Sequence, residues 1–456
     1  MGNLPTETLP WNISRKIAFR FAFIFFILFI FLLDWSVNPV LSYFYYEGGL
    51  ANFLDVIITW TGKYIFQVSY TIISPYDGQH NDRTYIYLLY FIFAMAATLA
   101  TIIWSALDRK RTNYDTLYYW LTTIIRYYLA FTLFLFALEK FFKMQFPDLG
   151  LYTLTEPVGN LTPMSLAWSF FGYSYGYNIF MGIAESAALL LLFRRTMTFG
   201  AIFTLVTLAN VMAVNFNYDV HAKMYPTALF VMTLSLLIPH LNRLFKFFFT
   251  NQTTSLPVIK APVYKKRWIN ISKSALKLLF IGYFIIFSVN DYIYYKHRKV
   301  TKEMNKTQSR ISGIYDVNTF VINKDTLSNE DSLRWKQIVM GGTRERIRFK
   351  GDSIAYMDVS VGKKEILVYG DKINLAIKEQ EIYNELGLKE SMNIDVDSIL
   401  VARKIKTRFQ FELIDSTTLF LKGRIKNDSV FITSKRQSVE IKDFRLIKNG
   451  FHWITE

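Results

Sequence analysis

The 456-residue chain contains no cysteine. This excludes disulfides, thiol nucleophiles, zinc–thiolate sites, iron–sulfur clusters and haem attached through Cys. It also fits exposure to an oxidising compartment, where a stray thiol is a liability. Histidine is scarce: His80, His221, His240, His297 and His452 are all there is. His221 and His240 flank one apolar run and stand ~28 Å apart at ~1.5 Å per helical residue, too far to share an iron. No HExxH, P-loop, GxSxG or paired-carboxylate arrangement rises above chance, and no metal-ligand spacing stands out around His221, Asp219 and Glu139. The residues therefore name no catalytic group and no metal.

Acids are also in short supply, with 36 Asp and Glu against 52 Lys and Arg, a net charge of +16. Such an excess can mark a nucleic-acid binder, but its placement argues against one. The bases cluster at the ends of apolar runs: Arg15, Lys16, Arg20; Arg109, Lys110, Arg111; Arg194, Arg195; Arg243, Lys246; Lys265, Lys266, Arg267. The alternate loops hold acids instead, among them Asp34, Glu47, Asp55, Asp77, Asp82, Asp148, Glu156 and Asp219. This is the positive-inside pattern of a membrane protein. The partner it implies is a lipid bilayer, with no nucleic acid.

Long apolar runs are what the chain has in abundance. Seven of them are near the ~20 residues that cross ~30 Å of hydrocarbon: 17–37, 84–107, 117–142, 166–193, 197–217, 225–245 and 269–291. With every basic cluster in the cytoplasm, the N terminus is inside and the C terminus outside. The first run has no small-x-small cleavage site, so it reads as a span and not a signal peptide. Residues 50–74, interrupted by Asp55, Lys63 and Gln67, read as an amphipathic helix in the outer interface. Trp11, Trp35, Trp104, Trp120 and Trp268 sit near run ends, as interfacial tryptophans do. Ala94, Ala96, Ala97, Ala100 and Thr101 give a small-residue packing face.

The composition changes at residue 296. The expected division is a helical membrane domain over 1–295, a linker over 296–308 and an extracytoplasmic β-domain over 309–456. In the last, runs such as GIYDVNTFVIN and RFQFELIDSTTLFLKGRIKNDSVFITSK alternate apolar and polar residues and are separated by GD, DS and ND turns. That rhythm predicts an antiparallel barrel or sandwich. SLRWKQIVM reads as one short helix, and 379–400 as a long loop with some helix. The Gly-x-aromatic of Gly313 and Tyr315 resembles the opening strand of a lipocalin-type barrel, with the aromatic at the barrel floor. The resemblance implies a stacking Arg from a late strand, for which Arg424 and Arg445 are the candidates; the usual Trp is replaced by Tyr315.

The stretches RYYLAFTLFLFALEKFFKMQFP, YGYNIFMGIAESAALLLLFRRTMTFGAI and NVMAVNFNYDVHAKMYP resemble the DoxX-like membrane proteins, here with a core at about 117–245. With the ending FRLIKNGFHWITE, the chain looks like a Bacteroidetes-type subgroup carrying an added C-terminal domain. The resemblance implies a four-helix core and a bacterial inner-membrane location. It implies no resident cofactor and no mechanism; the sulfur-oxidation subunit behind the family name brings only a link to quinones.

Ionisable groups inside spans cost ~2.5–3.5 kcal/mol each and call for partners. Arg126 and Glu185 come out at similar depth, ~9 Å from Trp120 and ~13 Å from Arg194, which predicts an intramembrane ion pair, either a clamp or a proton- or ligand-handling element. A second group gathers at the outer ends: Glu139 and Lys140, with Asn210, Asn215, Asn217, Asp219, His221 and Lys223 around a hairpin. It reads either as a polar pocket or as helix capping at the water boundary. The function expected first is a non-catalytic scaffold or accessory subunit whose periplasmic domain binds an envelope protein or an apolar ligand. The alternatives are a subunit of a quinone- or thiol-linked redox system and a small-solute transporter.

Overall fold

The computed structural model describes residues 10–33, 49–72, 82–250, 252–256, 261–262, 264, 266–303, 310–341, 344–349, 353–362, 364–369, 405–425 and 428–448. The expected loop 379–400, Asp34, Glu47, Asp77, His80, Lys265 and His452 lie outside the described residues. Contacts divide the chain into two units, 1–146 with 174–289 and 147–173 with 290–456.

The first unit is a helical bundle. Its helices are α1 (Ile13–Leu28), α2 (Leu50–Tyr64), α3 (Thr84–Leu107) and α4 (Asp115–Phe141). After the excursion 147–173, which contains α5 (Leu151–Leu154) and α6 (Pro163–Tyr173), come α7 (Tyr175–Ser186) and α8 (Met197–Asn217). Then follow α9 (Met224–Leu237), α10 (Leu241–Phe249) and α11 (Arg267–Glu303). Among the described residues, six helical stretches are long and apolar enough to cross a membrane: Thr84–Leu107, Asp115–Phe141, Tyr175–Leu192, Met197–Asn217, Met224–Phe249 and Arg267–Asn290. The first expected span is α1 extended by a π-turn, Phe29–Leu33; the rest of it is outside the described residues.

Outward faces such as Ile102, Phe180, Val206, Leu278 and Leu279 are each more than half exposed. A surface that apolar is not a water-facing one. In α4 the relation is reversed: 67% of its most apolar stretch is buried, and the bundle is built around it. Successive crossings alternate in direction. Arg20 on α1 meets Ser105 and Tyr114 at one end, while Phe29 meets Tyr90 at the other. Three crossings separate α4 from α11, so these two run parallel, and Lys277 meets Tyr119 as Phe284 meets Phe131. α2, 15 residues long, reaches only ~22 Å at ~1.5 Å per residue, short of a crossing. It lays Leu54 and Ile58 inward and accepts a 2.6 Å bond from Tyr85 at Asp55.

The expected span 166–193 is broken at Ser174. α6 ends at Tyr173 and falls in the other unit. The Ser174 side chain caps α7 by accepting from Tyr177 N, and beyond Ser186 the chain tightens to a 3₁₀ helix through Leu192. α11 continues to Glu303, through residues expected to be linker.

The second unit is a barrel. Strands β1 (Gly313–Ile322), β2 (Asp325–Thr326), β3 (Trp335–Met340), β4 (Arg344–Phe349) and β5 (Ile354–Val361) are followed by β6 (Glu365–Tyr369), β7 (Ile405–Leu413), β8 (Thr418–Ile425) and β9 (Asp428–Arg436). β1 pairs antiparallel with both β2 and β3, each strand from β3 on pairs antiparallel with the next, and β1 also pairs with β9, closing the sheet. Closure removes the exposed edges that an open sheet must protect. Between barrel and sandwich, the structure is the barrel. Tyr315, Phe320, Trp335, Ile338, Ile347, Phe409, Leu421 and Ile432 fill its interior.

SLRWKQIVM is not helical: Trp335–Met340 is β3. Trp335, Ile338 and Val339 fall at i, i+3 and i+4 and so imitate a helix face. The strand arises because Ile338 faces the barrel interior while Val339 is covered from outside by Leu151.

Candidate functional site

The polar hairpin between α8 and α9 is a capping device. Asp219 takes the left-handed conformation, φ 49°, just past the end of α8. Val220 N then donates to Asn215 O at 3.0 Å, the six-to-one bond of a Schellman ending, with Val220 buried as its apolar contact. Asn215 Nδ2 donates to Ala222 O at 2.8 Å, and Asn217 Nδ2 returns to Ala213 O at 2.7 Å. Asp219 pairs with Lys223 at 2.9 Å. That bond holds the Asp219 carboxyl below the usual range and the Lys223 ammonium above its own. Asn210, Asn217, Asp219 and His221 are exposed; Asn210 and Asn217 share a stripe that faces away from the core.

Sequence reasoning missed the residue that organises the hairpin. Asp82, just before α3, accepts from Lys223 N at 2.9 and 2.7 Å and from Met224 N at 3.0 Å. Its own N–H donates to His221 O at 3.1 Å. A carboxylate on the free N–H groups of a helix start is favourable in charge and in hydrogen bonding. The signal for it was in the chain: α9 begins without a capping side chain of its own.

The expected Arg126–Glu185 ion pair does not form. Glu185 Oε1 meets Lys140 Nζ at 2.8 Å, both side chains under a tenth exposed. Lys140 also donates to Gln145 Oε1 at 2.9 Å and lies against the Phe136 and Phe146 rings. Glu185 Oε2 has no hydrogen-bond partner among the described residues. Arg126 instead donates to the carbonyls of Leu191 (2.6 Å) and Leu192 (2.8 Å). The cause is the 3₁₀ segment Ala187–Leu192, which rises ~2.0 Å per residue instead of ~1.5 and ends with carbonyls that lipid cannot satisfy. The guanidinium serves those carbonyls, so Arg126 is level with Leu191 and Leu192, and Glu185, six residues further along the antiparallel segment, lies toward the Lys140 end of α4. Lys140, expected in the outer cluster, is thereby drawn to Glu185. The backbone carbonyl of Glu139 accepts from Met144 N at 2.7 Å.

In the barrel interior, Tyr315 is fully buried and donates to Ile311 O at 3.0 Å. A Cβ on Gly313 would lie 2.6 Å from Arg436 Nε. The late-strand arginine packed there is thus Arg436, neither Arg424 nor Arg445. A larger residue at 313 would displace the Arg436 side chain from this position.

A cavity of the second unit, on the outer face of the barrel, was not anticipated. Ile314 on β1, Val339 on β3, Arg346 on β4 and Tyr356 on β5 are successive cross-strand partners. They form a row across the outer face of the barrel, and the excursion 147–173 lies on it. Leu151 packs on Ile314 and Val339. Arg346 Nη1 pairs with Glu156 Oε2 at 2.7 Å, 1% and 4% exposed, and also bonds Thr155 Oγ1. Tyr356 OH donates to Glu156 Oε1. Burial and the adjacent carboxylate push the Tyr356 phenol up to about 12. The excursion closes on itself, since a Cβ on Gly172 would come within 2.6 Å of the Pro147 carbonyl. Between its turns and the barrel is a cavity of about 430 Å³ lined by Leu149, Tyr152, Leu161, Met164, Trp168 and Tyr356, with Asp148, Asn160, Ser165 and Ser169 as polar groups. Its size is that of a small-ligand site.

The sequence GYSYG, Gly172–Gly176, fits the nucleophile-elbow spacing but not its setting. Ser174 lies between two helices, and its hydroxyl is the cap of α7. A nucleophile elbow needs a strand-to-helix turn with a free hydroxyl.

No family model matches the chain, and no solved structure matches it. It is 36% identical over 113 residues to the uncharacterized protein YwoB of Bacillus subtilis (strain 168), covering 25% of this chain and 71% of that protein. The chain belongs to the YwoB family. Membership establishes kinship with YwoB and assigns no chemistry.

Proposed function

We propose that the protein is a non-catalytic binding protein of the bacterial cytoplasmic membrane whose barrel unit holds an apolar ligand outside the cytoplasm. The observation that carries this reading is the cavity of about 430 Å³ between residues 147–173 and the barrel. A wall of Tyr152, Trp168, Met164 and Tyr356 suits an apolar body, and Asp148, Asn160 and Ser165 can orient one polar end. The alternation of basic and acidic loops supports an inside N terminus and an outside barrel, which is the periplasm in a two-membrane envelope. The DoxX-like resemblance fits the same location.

A redox role with quinone, or with a thiol-handling partner, drew on an outer pocket around Asp219 and His221. The groups there cap helices, and the second unit offers the better-formed cavity. Full-length protein purified in mild detergent should carry a co-purifying apolar molecule, detected by mass spectrometry of an organic extract. Ser169→Phe, which fills the cavity, should lose it while the protein stays folded. Equal recovery from both proteins would refute the proposal.

A further inference from the structure

The helical unit holds a second cavity, of about 440 Å³, along the seam of α4 and α11. Its walls are Trp120, Ile124, Tyr127 and Phe131 on α4, Leu276 and Phe280 on α11, and Ile30 and Phe31 from the end of the first helix. From Trp120 to Thr132 it follows α4 for ~18 Å at ~1.5 Å per residue. Lys273 and Lys277, one helical turn apart, line the same groove. They are turned inward, each less exposed than the apolar neighbours Ile271, Leu276, Leu278 and Leu279.

The charge there is not balanced. Lys273 donates to Pro262 O at 2.8 Å and lies over the Tyr264 ring. Lys277 donates to Tyr119 OH at 3.1 Å and lies over that ring. Trp120 Nε1 donates to Tyr264 OH at 3.1 Å and fixes the wall between them. Neither ammonium meets a carboxylate among the described residues. Each has three N–H donors, so donors remain for an anion that the protein does not provide. Charges inside a span are retained where they have a partner or a purpose.

We propose that this groove binds an anionic phospholipid, one acyl chain along Ile124, Phe131 and Phe280 and the phosphate on Lys273 and Lys277. An apolar slot of this length with two cations at one end is complementary to that amphiphile. A zwitterionic lipid offers the same chain, but its own cation opposes the lysines. The site is separate from the barrel cavity and does not depend on the function proposed for it.

Trp120 reports on the site directly. Full-length protein in detergent is titrated with phosphatidylglycerol brominated on its acyl chains, and separately with brominated phosphatidylcholine. The Trp120 signal is the wild-type quenching minus that of Trp120→Phe. The anionic lipid should quench it at ~30-fold lower mole fraction, the equivalent of ~1 kcal/mol for each lysine. Lys273→Gln with Lys277→Gln should abolish the preference, and the double Arg variant should keep it. Equal quenching by the two lipids in the wild type overturns the proposal, and this outcome does not depend on whether the Gln variant folds. Protection of Trp120 by inorganic phosphate alone would also overturn it, since the ligand would then be a soluble anion.

Discussion

Two segments of the chain interrupt its helices, and they make opposite use of their residues. Asn215 to Pro226 has the densest run of amides, acids and amines, and almost all of it goes to ending α8 and starting α9. Residues 147–173 look unremarkable in sequence, yet they lie on the barrel, bury a charge pair and enclose a cavity. Polar density marks where helix ends need satisfying. A binding cavity is made by shape, from ordinary residues brought together by the fold.

The largest test of this contrast is the buried pair Arg346–Glu156. Arg346→Met leaves a carboxylate buried without its cation, at a cost of ~3–5 kcal/mol. It should appear as early thermal unfolding and proteolysis of the barrel unit. Adding Glu156→Gln should restore much of the loss. A single variant as stable as wild type would show that 147–173 is not held on the barrel.

Lys140→Met should be next, at ~2.5–3.5 kcal/mol for the unpaired Glu185 within the bundle, with Glu185→Gln as its rescue. Asp82→Ala should cost ~0.5–2 kcal/mol, the range for a lost helix cap. Asp219→Gly keeps the left-handed turn and should leave the melting temperature close to wild type. If Asp219→Gly abolished function while Asp82→Ala did not, the hairpin would be a site after all.

These two segments also show what could be read from the chain. The apolar runs were legible because lipid demands ~20 residues of one kind, and the closed barrel because alternation and turn pairs recur. The break at Ser174 was not, since α6 and α7 are both apolar and a one-residue interruption leaves hydropathy unchanged. The partner of Glu185 was missed because depth was counted separately from Trp120 and from Arg194 as if these were level, whereas Arg126 stands opposite Leu191 and Leu192, only two or three residues from Arg194. Arg436 was missed because only register reveals which late arginine faces Gly313. One clue to the covered barrel face was present: Ile338, Val339 and Met340 are three successive buried residues. A strand with one wet face does not carry such a run.

A smaller effect sharpens the same interface. Tyr356 should ionise at about 12 against the ordinary 10.0, read as the ultraviolet difference between wild type and Tyr356→Phe. Glu156→Gln should lower it. Because the folded value is raised, this group's contribution to stability is complete below pH 10 and is lost as pH rises through about 12.

The most direct measurement is hydrogen exchange on delipidated full-length protein, before and after a total membrane lipid extract is added back. Ligand in the barrel cavity should slow exchange in 147–173 and in Ile354–Val361, leaving 215–226 unchanged. Protection at 215–226, with none in 147–173, would contradict the account.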